Sequence, residues 1–164
     1  MNRVEISLEG VEPPLWLEDA AAFAEAALKK LGKNNWELSL LFCSDEVIRS
    51  LNRQYRNRDE ATDVLSFTLG ESAGERFLPG DIVISLETVT ENALRFNVPP
   101  GEELRRLLLH GILHLGGMDH ASNGREEPML ALQEKLLAEI SAGFPWEFSP
   151  ELPAGPIITG KEDR

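Results

Sequence analysis

The sequence predicts a single domain of the α/β or α+β class, built around one sheet. Short stretches with strand-like alternation are interleaved with longer stretches that have helical apolar spacing. The chain has 164 residues, of which 42% are hydrophobic, so one domain with a sizeable core is expected. We expect the domain to span residues 1–149 and the proline-rich residues 150–164 to form an irregular tail.

The first third of the chain alternates strand and helix patterns. Residues 4–8 alternate apolar and polar side chains, as a half-buried strand does, and residues 36–43 predict a second strand. Between them, residues 14–31 are alanine-rich with helical spacing. Ser44 is a typical N-cap residue, followed by two acidic residues that suit the first turn of a helix. That helix carries four side chains at apolar spacing: Val47, Ile48, Leu51 and Tyr55.

The remaining elements follow from glycines, prolines and apolar periodicity. Val64–Thr68 predicts a short strand and Asp81–Ser85 a compact one, while Leu69–Gly80, which contains three glycines, predicts a loop. Helices are predicted at Glu87–Phe96, Glu102–Leu115 and Pro128–Ile140.

Composition limits the classes of partner and compartment. A net charge of −12 argues against nonspecific binding of nucleic acid through phosphate contacts, although it does not exclude a local basic cleft. No apolar run approaches the roughly 20 residues that span a membrane. The N-terminus does not resemble a signal peptide, and the single cysteine, Cys43, is expected to be a small core residue. These features predict a cytoplasmic protein without a membrane segment.

All three histidines lie within the segment HGILHLGGMDH, at positions 110, 114 and 120. On a helix, His110 and His114 lie on one face, one turn apart, which is the spacing of two metal ligands in the HExxH motif. Gly116 and Gly117 let the chain turn sharply so that His120 can return to the same ion. Three imidazoles predict one divalent ion per chain.

Zinc suits three imidazoles, and three protein ligands leave a fourth position open, as in catalytic sites. Nickel, copper or iron would also accept this donor set. Asp119 could orient a ligand histidine, act as a base, or simply form the turn.

The spacing HxxxHxxGxxH also resembles that of the metzincin proteases. Those enzymes carry a glutamate base directly after the first histidine, and this chain has Gly111 there. The departure disfavours peptide hydrolysis without affecting metal binding. An arginine could stabilise charge instead if the substrate is a phosphodiester.

The same segment resembles the signature of the YbeY family of endoribonucleases, H-G-x-L-H-L-x-G-x-D-H, at every specified position. Residues 51–67, LNRQYRNRDEATDVLSF, resemble the family's LNxxYRxxDxPTDVLSF, and residues 80–85, GDIVIS, resemble a third block. Ala61, Thr68 and Pro79 depart from the usual residues, but none of them is an expected ligand.

The resemblance implies a metal-dependent endoribonuclease specific for single-stranded RNA. It implies a role in ribosomal RNA maturation, notably at the 3′ end of the small-subunit RNA, and in ribosome quality control. Ribosomal small-subunit proteins or an assembly GTPase would be its partners. The implied fold is one mixed four-stranded sheet flanked by about five helices, with a zincin-like metal-binding helix.

The resemblance assigns a role to one side chain outside the histidine segment, and the positions of others suggest further contacts. Arg56 matches the family's functional arginine and would bind phosphate through two hydrogen bonds. Arg53 and Arg58 could extend a basic patch or serve only solubility, and Ser66 could face the cleft. Of Arg105 and Arg106, which precede His110, one could face the cleft as well.

Two alternatives to the endoribonuclease stay open at this stage. One is a metallopeptidase or other small hydrolase, which the motif spacing favours and Gly111 disfavours. The other is a non-catalytic ribosome assembly factor in which zinc stabilises the fold, and the acidic net charge suits this role.

Overall fold

Four strands and five helices occur in the part of the chain that the computed structural model describes, which is residues 1–120, 122, 124 and 126–148. The strands are β1 (Arg3–Glu9), β2 (Glu37–Cys43), β3 (Val64–Ala73) and β4 (Arg76–Ser85). The helices are α1 (Leu17–Lys30), α2 (Asp45–Arg56), α3 (Leu86–Phe96), α4 (Pro100–Leu115) and α5 (Pro128–Ser141). The predicted tail lies outside the described residues. No helix in the described ranges is long and apolar enough to cross a membrane.

The strands form one mixed sheet in the order β1-β2-β4-β3. β1, β2 and β4 are parallel, whereas β3 runs antiparallel to β4 and forms an edge of the sheet. This arrangement confirms the predicted α/β class, with a mixed four-stranded sheet and five helices.

The two faces of the sheet are covered unequally. On β4, Ile82 and Ile84 point into the main core, which α1, α4 and α5 cover, while Val83 points to the opposite face. There it joins Ile48 of α2 and the predicted core residue Cys43 in a smaller cluster. This alternation is the period-2 geometry of a strand buried on both faces.

The predicted loop at 69–80 is wrong, because β3 and β4 continue through it as a hairpin. Ala73 pairs with Arg76, and the two residues between them begin with Gly74, whose φ is 64°. A positive φ at this position suits a tight hairpin turn. The register shifts between Thr68 and Glu71, near Gly80, where a Cβ would lie 2.0 Å from the Phe67 carbonyl oxygen. Gly74 therefore lies in the hairpin turn, and Gly80 allows the two strands to approach closely.

Helix α2 begins at the predicted N-cap, but its last turn is more exposed than the apolar spacing of the sequence predicts. The Ser44 side chain accepts a hydrogen bond from the Val47 backbone N–H, as an N-cap does. Ile48 is fully buried, yet Tyr55 is 60% exposed. Tyr55 lies in the last turn, where the edge strand β3 covers only part of its ring, through Phe67.

Candidate metal centre

The histidine helix α4 lies unusually close to β4 at Gly111. A Cβ built on Gly111 would lie 2.8 Å from Cδ1 and 2.9 Å from Cγ1 of Ile82, closer than side chains pack. Only glycine fits at this contact, so the helix is fixed against the sheet by the residue next to His110. A glutamate at this position would collide with Ile82, so the packing leaves no room for the base that the metzincin proteases carry there.

The chain turns sharply after α4, which brings His120 next to His110 and His114. The helix ends at Leu115, Gly116 is its C-cap residue, and Gly117 has φ of +97°. The Met118 N–H donates to the Leu113 carbonyl at 3.0 Å, which closes the last turn. One nitrogen from each of His110, His114 and His120 then lies within 4.8 Å of the others, as the spacing predicts.

Each imidazole has its Nδ1 atom next to an acceptor. For His110 this acceptor is Oε1 of Gln133, at 2.7 Å. For His114 and His120 it is a backbone carbonyl, of Met118 at 3.1 Å and of Ser122 at 2.8 Å. These contacts favour the tautomer that carries its proton on Nδ1 and keeps the lone pair on Nε2, which is the usual arrangement of histidine ligands.

The spacing of the Nε2 atoms fits a bound cation. The Nε2 atoms of His110 and His114 lie only 3.1 Å apart. Two lone pairs at this distance repel each other unless a cation or a proton lies between them. A tetrahedral zinc ion with bonds of about 2.0–2.1 Å places neighbouring ligand nitrogens roughly 3.3 Å apart. The residues therefore fit a divalent transition metal held by three imidazoles.

The electrostatics of His114 also suit a neutral ligand. Partial burial lowers the pKa of His114 below its usual value, and the neighbouring His120 lowers it further. The Asp119 carboxylate opposes these effects and raises this pKa. Because a metal binds neutral imidazole, a lowered pKa reduces competition from protons.

His110 and His114 line a cleft of about 500 Å³ between α4 and the edge strand β3. A larger cavity, about 860 Å³, contains none of the predicted site residues. Residues of three regions line the cleft. They are Arg56 at the end of α2, then Val64, Leu65, Ser66 and Thr68 on β3, and finally His110 and His114 of α4 with Gly117, Met118 and Asp119 of the segment that follows it.

Arg56 reaches this cleft around the free edge of β3. Its Nη2 atom donates a hydrogen bond to the Ser66 backbone carbonyl, and its guanidinium carbon lies 5.2 Å from the centre of the Phe67 ring. The edge strand thus holds the guanidinium at the wall of the cleft, with donors left over for an anion. The structure brings the predicted Arg56 and Ser66 together with His110 and His114 in one cleft, and His120 meets these two histidines through its ring.

Asp119 also lines the cleft, and it is the one acidic residue among the described lining residues. Its Oδ1 atom accepts a hydrogen bond from the His120 backbone N–H at 2.8 Å, which is a turn-forming contact. Because Asp119 is exposed, its carboxylate remains accessible from the cleft.

The other predicted arginines lie outside the lining of the cleft. Arg53 and Arg58 are exposed, and Arg58 lies 3.7 Å from Glu60. The expectation that Arg105 or Arg106 faces the cleft is wrong. Arg105 is buried against Trp146 and Glu147, and Arg106 pairs with carboxylates that include Glu134 of α5. Both project from other faces of α4.

Gln133 is the site residue that the sequence analysis missed. It lies on α5 and is buried, and its contact with His110 depends on how α4 and α5 pack together. A glutamine 23 positions after a histidine has no local signal that connects the two residues.

The chain is similar to proteins of one family over most of its length. A sequence model of the family described as Endoribonuclease YbeY matches residues 9–141. "Endoribonuclease YbeY" of Treponema pallidum (strain Nichols) is 48% identical over 156 residues, which cover 90% of this chain and 98% of the relative. The protein of the same name from Aquifex aeolicus (strain VF5) is 44% identical, covering 73% and 80%.

A solved structure supports the fold. The solution structure of TM1509 from Thermotoga maritima matches with a TM-score of 0.62 and 31% sequence identity, covering 88% of this chain and 92% of that chain. As the three sequence blocks predict, this chain belongs to the Endoribonuclease YbeY family, and the prediction of an enzyme of the endoribonuclease class is confirmed with it.

Proposed function

We propose that this chain is a metal-dependent endoribonuclease that cleaves single-stranded RNA in the histidine cleft. The observation that carries the proposal is that two of the three clustered imidazoles, those of His110 and His114, line the same cleft as Arg56. The imidazoles suit a metal ion, and the guanidinium suits a phosphodiester. The contact between Gly111 and Ile82 argues against peptide hydrolysis with a glutamate base.

The residues that would hold the ion are His110, His114 and His120, and zinc is the ion that we propose, with nickel or another divalent transition metal as alternatives. When bound, the ion would supply Lewis-acid stabilisation of developing negative charge. Gln133 and the two backbone carbonyls keep the rings in the ligand tautomer.

Arg56 would bind the phosphate that is cleaved. Guanidinium is always charged and presents parallel N–H donors, so it can bind two phosphoryl oxygens at once. The hydrogen bond to the Ser66 carbonyl and the packing on Phe67 fix its orientation before substrate arrives. Donors preoriented in this way stabilise the extra charge of the transition state.

Asp119 is our candidate for the group that accepts a proton from the attacking hydroxyl, which is either water or the 2′-hydroxyl of the substrate. It is exposed at the cleft and close enough to influence the His114 pKa. Ser66 is a candidate for substrate contact in the cleft. Arg53 and Arg58, on the exposed surface, are candidates for contacts to more distant phosphates.

By family membership, we further propose that the RNA is ribosomal and that the chain acts in the cytoplasm in maturation of the small-subunit 3′ end and in ribosome quality control. Small-subunit proteins or an assembly GTPase would be the partners. The net charge of −12 favours docking on a basic protein surface over free RNA binding. It also favours a second candidate, a non-catalytic assembly factor stabilised by metal.

Cleavage assays separate these functions. Metal-loaded protein should cleave a single-stranded RNA but leave a duplex intact, and a chelator should abolish cleavage. His114→Ala should be inactive and Arg56→Ala should be about 10²- to 10³-fold slower. Both are purified in the same way, which controls for contaminating ribonuclease. Full cleavage by both variants would contradict the proposal. Loss of thermal stability by His114→Ala with all cellular function retained would favour the assembly factor.

A further inference from the structure

Tyr55, the single tyrosine of the chain, lies exposed at the end of α2. Its side chain is 60% exposed, although it occurs at the apolar spacing of this helix. Packing in the core therefore does not account for an aromatic side chain at this position. A large ring that is open to solvent is a feature of surfaces that bind other molecules.

Phe67 connects Tyr55 to the candidate site. The rings of Tyr55 and Phe67 meet edge to face, with centroids 5.4 Å apart and an angle of 65° between the planes. The Arg56 guanidinium carbon lies 5.2 Å from the same Phe67 centroid. Tyr55 and Phe67 are not among the described residues that line the cleft. Tyr55 instead lies beside it, adjacent to Arg56 in the chain and one aromatic contact away from the guanidinium that we propose binds the phosphate.

A ring at this place has the chemistry that unpaired bases need. Proteins that bind single-stranded RNA stack bases on exposed aromatic rings, and every base offers a flat face for this contact. Stacking does not depend on net charge. For a chain with net charge −12, it supplies the affinity that phosphate contacts alone would lack.

We propose that Tyr55 is a stacking platform for an unpaired base of the substrate, next to the nucleotide whose phosphate Arg56 binds. The proposal rests on the proposed endoribonuclease function. Tyr55 binds and positions the strand, with little preference for base identity. A duplex keeps its bases stacked on one another, so the platform also selects for single strands.

The test compares Tyr55→Ala with Tyr55→Phe in steady-state cleavage of a short single-stranded RNA. Removing an aromatic platform weakens binding by about 5- to 150-fold per base. We therefore expect Tyr55→Ala to raise KM about tenfold or more while kcat changes little, and Tyr55→Phe to resemble the wild type. Because the side chain is exposed, the alanine variant should fold normally. Phe96→Ala, which removes an exposed aromatic ring at the end of α3, is the matched control and should leave KM unchanged.

A second measurement identifies the base contact itself. The RNA carries 2-aminopurine at successive positions, and its fluorescence should fall at one position on binding to the wild type and Tyr55→Phe, but not to Tyr55→Ala. An abasic nucleotide at that position should make the wild type and Tyr55→Ala equal in KM. An unchanged KM in Tyr55→Ala, or a KM difference that persists on every abasic substrate, would overturn the platform while leaving the endoribonuclease intact. Absence of cleavage and binding by the wild type would overturn both proposals.

Discussion

Oε1 of Gln133 lies 2.7 Å from Nδ1 of His110, so a buried side chain of α5 fixes the ring orientation of a histidine on α4. The contact favours the tautomer whose Nε2 lone pair faces the other imidazoles. It connects the packing of two helices to the ligand geometry.

We expect Gln133→Leu to weaken metal affinity by about 10- to 100-fold, as loss of the group that orients a ligand usually does. Gln133→Glu keeps an acceptor at this position and should bind metal at least as tightly as the wild type. Competition with a chromophoric chelator measures both affinities. Glu134→Gln, which alters the other hydrogen-bond partner of Gln133, is the control. Equal affinities of Gln133→Leu and the wild type would show that the contact does not orient the ligand.

Arg56→Lys and Arg56→Ala should each lower cleavage by about 10²- to 10³-fold, with the metal affinity unchanged. Lysine retains the charge, but it cannot form two parallel hydrogen bonds with a phosphate. Arg49→Ala is the matched control on the same helix, because Arg49 is exposed and pairs with Asp59 at 2.9 Å. If Arg56→Lys cleaved at the wild-type rate, charge alone would be sufficient and the bidentate contact would be excluded.

Gly111→Ala should destabilise the fold by about 1–3 kcal/mol, because its Cβ would overlap Ile82. In an unconstrained helix the same change would be stabilising by about 1 kcal/mol. Urea denaturation therefore distinguishes a close contact with Ile82 from an unconstrained helix, because the free energy of unfolding of Gly111→Ala falls in the first case and rises in the second. Ile82→Val removes the nearest atom, and the double variant should lose less stability than the sum of the two single changes. Additive changes, or a gain of stability in Gly111→Ala, would contradict the close contact.

Burial raises the pKa of the Cys43 thiol from 9.0 to about 12, with smaller contributions from the carboxylates of Glu9, Asp45 and Glu87. Because the thiol pKa is raised in the folded state, protonated Cys43 contributes its full stabilisation below pH 9. This stabilisation is lost as the pH rises from 9.0 towards about 12. The free energy of unfolding should therefore fall more between pH 8 and pH 10 in the wild type than in Cys43→Ala. Lysines titrate in the same pH range, and Cys43→Ala retains all of them, so the difference between the two proteins isolates the thiol. Parallel pH profiles would refute the assignment to Cys43.

Local sequence patterns predicted the parts of the site that depend on local geometry. The spacing of His110 and His114 on a helix, and the glycines that return His120, lie within eleven residues. The glycines of the β3–β4 hairpin gave the wrong prediction, because a glycine in a tight turn or a close strand contact has the same sequence signal as one in a loop.

Contacts between distant elements had no such signal. Gln133 meets His110 only after α5 packs on α4, and Arg105 faces Trp146 because of the same tertiary packing. Arg56 was found through the family resemblance, and its path around the edge of β3 was visible only in the fold.

We propose that three imidazoles hold one ion on which RNA cleavage depends. Titrating metal-free protein with zinc while following cleavage of a single-stranded RNA tests it most directly. The rate should rise in proportion to added zinc and reach a plateau at one ion per chain, whereas His120→Ala should show no such plateau. A cleavage rate that is independent of added metal, or a plateau that His120→Ala shares, would contradict the claim.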